Sequence, residues 1–393
     1  MTSHGPEWQD PDTDPIVYVD QPKQTPTPPP QRRDPWTLVL GIMGGVLLGT
    51  GVTFAILGAT GLFEEPTPPP PPTLPPAPTL TLPPPTLAPP PVASSGSAAA
   101  VAERAIPSIV AVEVTSFLGE GGGSGVVYGT DGFVITNHHV VDGANSVAVV
   151  FADGARYDAE VVGTDPLTDL AVLLIERPDL TPIDIGSSGT LAIGEPAIAV
   201  GNPLALEGGP SVTSGIVSAL NRRLDVEPGT TLYGLVQTDA PITRGSSGGA
   251  LLDRSARLIG ITTAIAVSDV GAEGLGFAIP IDIALGVVND LIESGEVAHA
   301  FIGIRGQTAF AEEGGAQYPV GVLVAELIQD SAYEAAGGQI NDVITAMNDQ
   351  QIATQDQLLT NLRMYRAGDV IVVGIIRSDS ELDLTVTLAR LEP

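Results

Sequence analysis

A chain of 393 residues has room for two or three domains. Its 46 Asp and Glu against 16 Lys and Arg make nucleic acid and anionic lipid poor partners. The absence of cysteine excludes a disulfide scaffold and thiol chemistry while leaving the compartment open. Lys23 is the only lysine, which fits adaptation to salt and a genomic base bias equally well.

Residues 1–35 are rich in Pro, Asp, Gln and Thr and have little to bury, so a disordered segment is expected. Trp36 to Phe63 carries no charge. As a helix it would be about 42 Å long, enough to span a bilayer with some tilt. A secretory signal has a shorter apolar core, so the span is expected to remain. Arg32 and Arg33 before it and Glu64-Glu65 after it put the N-terminus in the cytoplasm and the remainder outside. Gly41, Gly45 and Gly49 form a small-residue stripe, read equally as a helix-packing face or as the ordinary glycine content of membrane helices. Residues 64–99 follow as a linker. Within it the proline run from Pro66 to Pro91 predicts a stiff polyproline II spacer, on the order of 80 Å if fully extended.

From Val101 short β-type runs alternate with Gly, Asp and Pro turns, the pattern of a sandwich or barrel. Predicted strands include 109–114, 125–128, 133–136, 146–151, 169–175, 197–201, 212–220, 232–237 and 258–266. Gly119 to Gly125 lacks the ending of a phosphate loop and reads as a hinge or turn. Phe133-Val134-Ile135-Thr136 runs into Asn137-His138-His139, and Asp169 opens the run 169–175. Later comes Gly245-Ser246-Ser247-Gly248-Gly249, a serine among glycines that permit tight turns and an exposed hydroxyl. Serine is a weak nucleophile unless a histidine base and an orienting carboxylate accompany it. Gly245-x-Ser247-x-Gly249 also fits the nucleophile elbow of α/β-hydrolases, but that fold needs its histidine last. Only His299 follows the serine, with no strand–helix alternation around it. The order His139, Asp169, Ser247 favours the chymotrypsin-type constellation.

These words, with Gly201-Asn202-Pro203, Gln237-Thr238-Asp239-Ala240 and Gly276-Phe277-Ala278-Ile279-Pro280, resemble the HtrA (Deg) serine proteases in order and spacing from Val101 to Leu391. The resemblance implies a mainly β chain. Its parts are a chymotrypsin-like double β-barrel over residues 100–280, a linker helix over 281–298 and a PDZ domain over 299–391, behind one N-terminal transmembrane helix at 36–63. It implies His139 as base, Asp169 as orienter, Ser247 as nucleophile and the N–H groups of Gly245 and Ser247 as the oxyanion hole. His138 is expected to be a solvated neighbour, because adjacent strand-end residues point opposite ways. Neither a metal nor a cofactor is expected.

Pro241 stands six residues before the serine, where trypsin-like folds place the carboxylate that selects a basic side chain. With Ile242 next to it, the S1 pocket is expected to be apolar, and Asp239 is read as structural. Ser246 and Thr243-Arg244 depart from the family's usual Asn and Asn-Pro, which predicts a looser loop. Phe301-Ile302-Gly303-Ile304 resembles the PDZ carboxylate-binding loop, and Asn341 stands where most relatives have glycine. The implied protein is a membrane-tethered, extracytoplasmic endopeptidase. It acts on unfolded or signalling proteins, is governed by C-terminal peptides at the PDZ groove and forms a homotrimer. A catalytically inactive, membrane-anchored peptide-binding scaffold is the alternative.

Overall fold

The computed structural model describes residues 96–391 apart from 118, 204–208, 228–229 and 264–273. The expected membrane span and the proline-rich stretch lie outside the described residues. Among those described, no helix is long and apolar enough to cross a membrane.

A short helix α1 (Ala98–Ala105) leads into six strands: β1 (Ile109–Ser116), β2 (Gly119–Tyr128), β3 (Phe133–Thr136), β4 (Ser146–Val150), β5 (Arg156–Asp165) and β6 (Leu170–Ile175). They close into a barrel in the order β1-β2-β3-β6-β5-β4. Its interior is largely β-branched, with Val110, Val112, Val127, Val134 and Val149 all buried. Such side chains suit a pleated surface, and each buried one contributes about 1.5–3 kcal/mol. One expectation needs correcting. Gly119 to Gly125 is no turn but the first part of β2, paired with β1 from Ser116↔Gly119 to Ile109↔Val126. Pairing with a neighbour has overridden the low strand propensity of glycine.

The second half adds β7 (Asp184–Ile185), β8 (Pro196–Gly201), β9 (Ser211–Glu227), β10 (Thr230–Thr238), β11 (Ala250–Leu252), β12 (Arg257–Thr263) and β13 (Gly276–Pro280). Their order is β11-β8-β9-β10-β13-β12-β7, and a further pairing of β11 with β12 closes the six longer strands into a ring. This matches the expected second barrel, with β7 as a parallel addition to β12. The hairpin of β9 and β10 is longer than predicted. Beyond the polar Asn221-Arg222-Arg223, the residues up to Glu227 continue the ladder, as in Leu224↔Leu232 and Asp225↔Thr231.

The helix expected after Pro280 runs Ile281–Ser294; a four-residue helix at 138–141 precedes it in the first barrel, so the two are α2 (His138–Val141) and α3. Ile281, Ala284, Val287, Val288 and Leu291 bury one face of α3, and Gly295 at φ 77 ends it with its N–H on the Leu291 carbonyl. Beyond lie β14 (Ala300–Phe301), β15 (Ile304–Glu313), β16 (Ala316–Leu327), α4 (Ala332–Ala335), β17 (Val343–Met347), β18 (Gln350–Gln351), α5 (Gln355–Leu362), β19 (Val370–Arg377), β20 (Ser380–Thr387) and β21 (Ala389–Arg390). The main sheet has the order β15-β16-β17-β19-β20, which leaves β15 as an edge strand. Asn341 takes φ 72, so the turn expected to tolerate asparagine does adopt the left-handed region.

Candidate active site

The last pair of β3 with β6, Thr136↔Ala171, brings the exit of one strand beside the entrance of the other. The chain leaves β3 at Asn137 and turns at once into α2, which carries both His138 and His139. Asp169 immediately precedes β6 in a left-handed conformation, φ 59, a region that Asp tolerates better than most residues. Local structure thus sets the His139 ring and the Asp169 carboxylate face to face. Nδ1 of His139 lies 2.9 Å from both Asp169 oxygens, and the His139 backbone N–H donates to Oδ1 at 3.0 Å.

Asp169 is nearly buried, and its surroundings fix its direction. Thr263 Oγ1 donates to Oδ2 at 3.0 Å, and Asn137 Nδ2 donates to the Asp169 carbonyl at 2.8 Å. A carboxylate can only accept, so His139 Nδ1 carries the hydrogen and Nε2 is left as a base. The His139 side chain remains 42% exposed, open to a substrate.

Ser247 comes from the other barrel. Its loop begins with a turn in which Ser246 N–H donates to the Thr243 carbonyl at 2.9 Å. Gly245, third in that turn, takes φ 91, as a type II turn requires. No acceptor among the described residues takes the Gly245 N–H. At Gly248, φ is 83 and a Cβ would collide with the Ser124 carbonyl and the Thr136 hydroxyl, so only glycine fits. Ser247 is buried to 5% exposure in the residue as a whole. It lines one cleft of about 670 Å³ together with His138, His139, Asp169, Arg244 and Gly245.

His138 departs from expectation. It was to point away from its neighbour into solvent, yet it lines the same cleft. Its Nδ1 is buried and has no partner among the described residues. The alternation rule fails here because the strand has already ended and the two histidines share a helical turn. Arg244 also lines the cleft. Asp239 behaves as read: its Oδ1 accepts the Ile216 N–H at 2.7 Å. Ile242 lies against Gly276, where an added Cβ would come within 2.8 Å of Ile242 Cδ1.

Three residues that the sequence did not single out complete the surroundings. Ser124, in mid-β2, bonds to the loop of Ser247. Asp165 caps the turn that presents Asp169: Leu167 N–H donates to Oδ1 at 3.3 Å and the Thr168 hydroxyl donates to Oδ2. His299, at the start of the third domain, donates from Nε2 to Asp165 Oδ1 at 2.8 Å, with both side chains buried. Arg363 Nη1 stands 3.4 Å from His299 Nδ1. Arginine only donates, so that ring nitrogen accepts and Nε2 carries the hydrogen. Burial by itself would raise the pKa of Asp165, but the bonds from His299 and Thr168 hold it below the usual carboxylate range. The spacing of Asp165, four residues before Asp169, was the one available signal.

In the third domain, Phe301 pairs with Ala389, Ile302 is buried, and Ile304 opens the edge strand β15. Gly303 at φ 85 turns the chain between them, its carbonyl accepting the Ile328 N–H. The predicted carboxylate-binding loop therefore sits at the head of an unpaired strand edge, the geometry that accepts an added peptide strand. No cluster of metal-ligating side chains occurs among the described residues.

Residues 123–261 match the trypsin-like peptidase domain, and residues 296–388 match the PDZ domain. The periplasmic pH-dependent serine endoprotease DegQ of Escherichia coli K12 is 39% identical over 277 residues, covering 68% of this chain and 59% of the relative. A probable periplasmic serine endoprotease, DegP-like, of Pseudomonas savastanoi pv. phaseolicola is 38% identical over 272 residues, 68% of this chain and 56% of the relative. The chain thus spans a little over half the length of these curated relatives. Among solved structures, the HtrA-type protease AlgW with tripeptide aligns at TM-score 0.63 and 33% identity, over 76% of this chain and 98% of that one. The serine endoprotease from Yersinia pestis aligns at TM-score 0.56 and 32% identity, over 77% and 100%. With near-complete coverage of such structures at this identity, the chain belongs to the HtrA family of serine proteases, with a trypsin-like domain and one PDZ domain.

Proposed function

We propose that the protein is a membrane-tethered, extracytoplasmic serine endopeptidase that cleaves unfolded or signalling polypeptides under the control of its PDZ domain. The observation that carries this reading is the His139–Asp169 pair, 2.9 Å apart and sharing one cleft with Ser247. His139 Nε2 takes the Ser247 proton as the hydroxyl attacks the scissile carbonyl, and returns it to the leaving amine. Asp169 keeps the imidazole in that tautomer and stabilises its cation, while the Gly245 and Ser247 N–H groups hold the oxyanion. No cofactor enters this chemistry. Tethering through residues 36–63 and a homotrimeric assembly belong to the same proposal, on the sequence and the family resemblance alone.

PDZ control has a physical route. An apolar C-terminus bound along β15 at the Phe301–Ile304 loop bears on the domain whose His299 grips the turn leading to Asp169. Ile242 and the absence of a carboxylate at Pro241 suit small aliphatic P1 side chains, since an unpaired cation buried there is costly. Two measurements test the reading: degradation of unfolded casein by the full chain against Ser247→Ala, and labelling of Ser247 by a serine-reactive phosphonate. Casein turnover that survives in Ser247→Ala refutes the mechanism. Cleavage sites mapped by mass spectrometry should fall mainly after Val, Ala or Leu, and a majority after Lys or Arg would refute the pocket.

A further inference from the structure

Ser124 is fully buried in the middle of β2, opposite Ala111. All its polar atoms are engaged, and they reach three separate segments. Its N–H donates to the Ser247 carbonyl at 2.7 Å. Its carbonyl accepts the Thr136 hydroxyl at 2.8 Å, on the strand that leads to His139. Its hydroxyl donates to the Gly245 carbonyl at 2.8 Å and accepts the Asn202 N–H at 2.8 Å. One side chain of the first barrel therefore fixes a carbonyl in the second barrel's nucleophile loop.

That carbonyl matters because of the residue that carries it. Gly245 sits at φ 91 in the Thr243–Ser246 turn, and glycine moves between left- and right-handed regions with little steric cost. A type II turn differs from type I mainly by the orientation of its central peptide, here Arg244–Gly245. Reversing that peptide would aim the Gly245 N–H out of the cleft. With the Gly245 carbonyl tied to Ser124, the following peptide cannot readily rotate to accommodate the reversal. The looseness expected of a loop with Thr243-Arg244 in place of Asn-Pro is offset by a bond from outside the loop.

We propose that Ser124 is a positioning residue for the oxyanion hole, its hydroxyl acting through the Gly245 carbonyl to keep the Gly245 N–H aimed at the developing charge. This rests on reading Ser247 as the nucleophile and Gly245 as an oxyanion donor. It contacts no substrate, so its effect should fall on the transition state and leave ground-state binding alone.

The test compares the wild-type full chain with Ser124→Ala, Ser124→Cys and Ser247→Ala on one peptide substrate. Affinity for a peptide boronate, whose tetrahedral adduct places an oxygen in the hole, is measured beside it. Removing an oxyanion donor outright costs about 100- to 1,000-fold in kcat, so losing its support should cost about 10- to 100-fold. KM should stay within about twofold, and boronate affinity should fall by the same factor as kcat. A control variant, Val110→Ala in the first-barrel core, is assayed at the same interval below its own Tm as Ser124→Ala; it should leave kcat and boronate affinity within about twofold. If Ser124→Ala does not fold, Ser124→Cys, a weak donor of similar size, should show a smaller parallel loss in kcat and boronate affinity. Wild-type kcat in the folded variants, or a rise in KM alone, overturns the proposal, as does an equal fall in Val110→Ala. Activity surviving in Ser247→Ala would instead mean that the reading of the site itself is wrong.

Discussion

The two barrels contribute to the cleft in different ways. In the first, the His139 ring and the Asp169 carboxylate are set by strand ends and one helical turn, all close along the ladder Thr136↔Ala171. In the second, the proposed nucleophile Ser247 lies on a glycine loop that Ser124 of the first barrel bonds. One half is ordered mainly by its own local structure, with one bond from Thr263 of the second barrel, and the other by its partner. Loss of a chemical group should therefore cost most, loss of local orientation less, and loss of a neighbour that only shares the space least.

The largest effects should come from the reacting groups. Ser247→Ala and His139→Ala should each lower kcat about a millionfold, because nucleophile and base act as a unit. Single-turnover assays of peptide cleavage measure this. A loss of only a few tens of fold in either variant would break the assignment.

Orientation comes next. Asp169→Asn can hold the imidazole only in the other tautomer and should cost about 10,000-fold in kcat. Thr263→Val removes the 3.0 Å bond to Asp169 Oδ2. A hydrogen bond to a charged group contributes about 1.5–3 kcal/mol, so a loss of about 10- to 150-fold is expected. If Thr263→Val cost as much as Asp169→Asn, the first barrel would not be holding its pair by itself, and the contrast between the barrels would fail.

The proposed triad was legible because its residue types are rare and ordered: four histidines in the chain, of which only His138 and His139 lie between Val101 and Asp169. The barrels were legible from short apolar runs between turns. Ser124 was not, because its importance comes from the register of β2, and a glycine-rich run carries little strand signal. His299 was hidden for the same kind of reason. Its partner Asp165 is 134 residues away, and only the packing of the third domain on the first barrel unites them. The far part of β9 was missed because Asn221-Arg222-Arg223 interrupts the apolar alternation on which strands are recognised, and it resumes only with Leu224 and Val226.

The Asp165–His299 contact sharpens the comparison through pH. With its pKa held below the ordinary carboxylate value, Asp165 contributes stability that is fully present above about pH 4, the unfolded value. The contribution is lost as pH falls through the lower folded value. The groups facing it are His299 and Thr168, with Arg363 behind His299. Asp165→Asn should lower stability by about 1–3 kcal/mol at neutral pH. Its deficit in Tm relative to wild type should hold down to about pH 5 and shrink in stronger acid. A deficit that grows on acidification would reverse the sign and exclude Asp165 as the source.

The smallest effect is expected at His138. It shares the helical turn and the cleft with His139, and its Nδ1 is buried without a partner among the described residues. Proximity to the site makes a role plausible, but the bonding argues otherwise. Asp169 directs its side-chain oxygens to His139 and Thr263, leaving His138 no carboxylate to set its tautomer or stabilise its cation. A base without that support cannot replace His139. Removing a ring whose nitrogen is unsatisfied also relieves a desolvation cost that offsets part of the packing it supplies. His138→Ala should therefore stay within about fivefold of wild type in kcat/KM, less than 1 kcal/mol of transition-state stabilisation. Steady-state kinetics on one peptide for His138→Ala and His139→Ala decides the matter. Comparable losses in the two would mean that the cleft draws on both histidines and that the pairing of His139 with Asp169 does not single out the base.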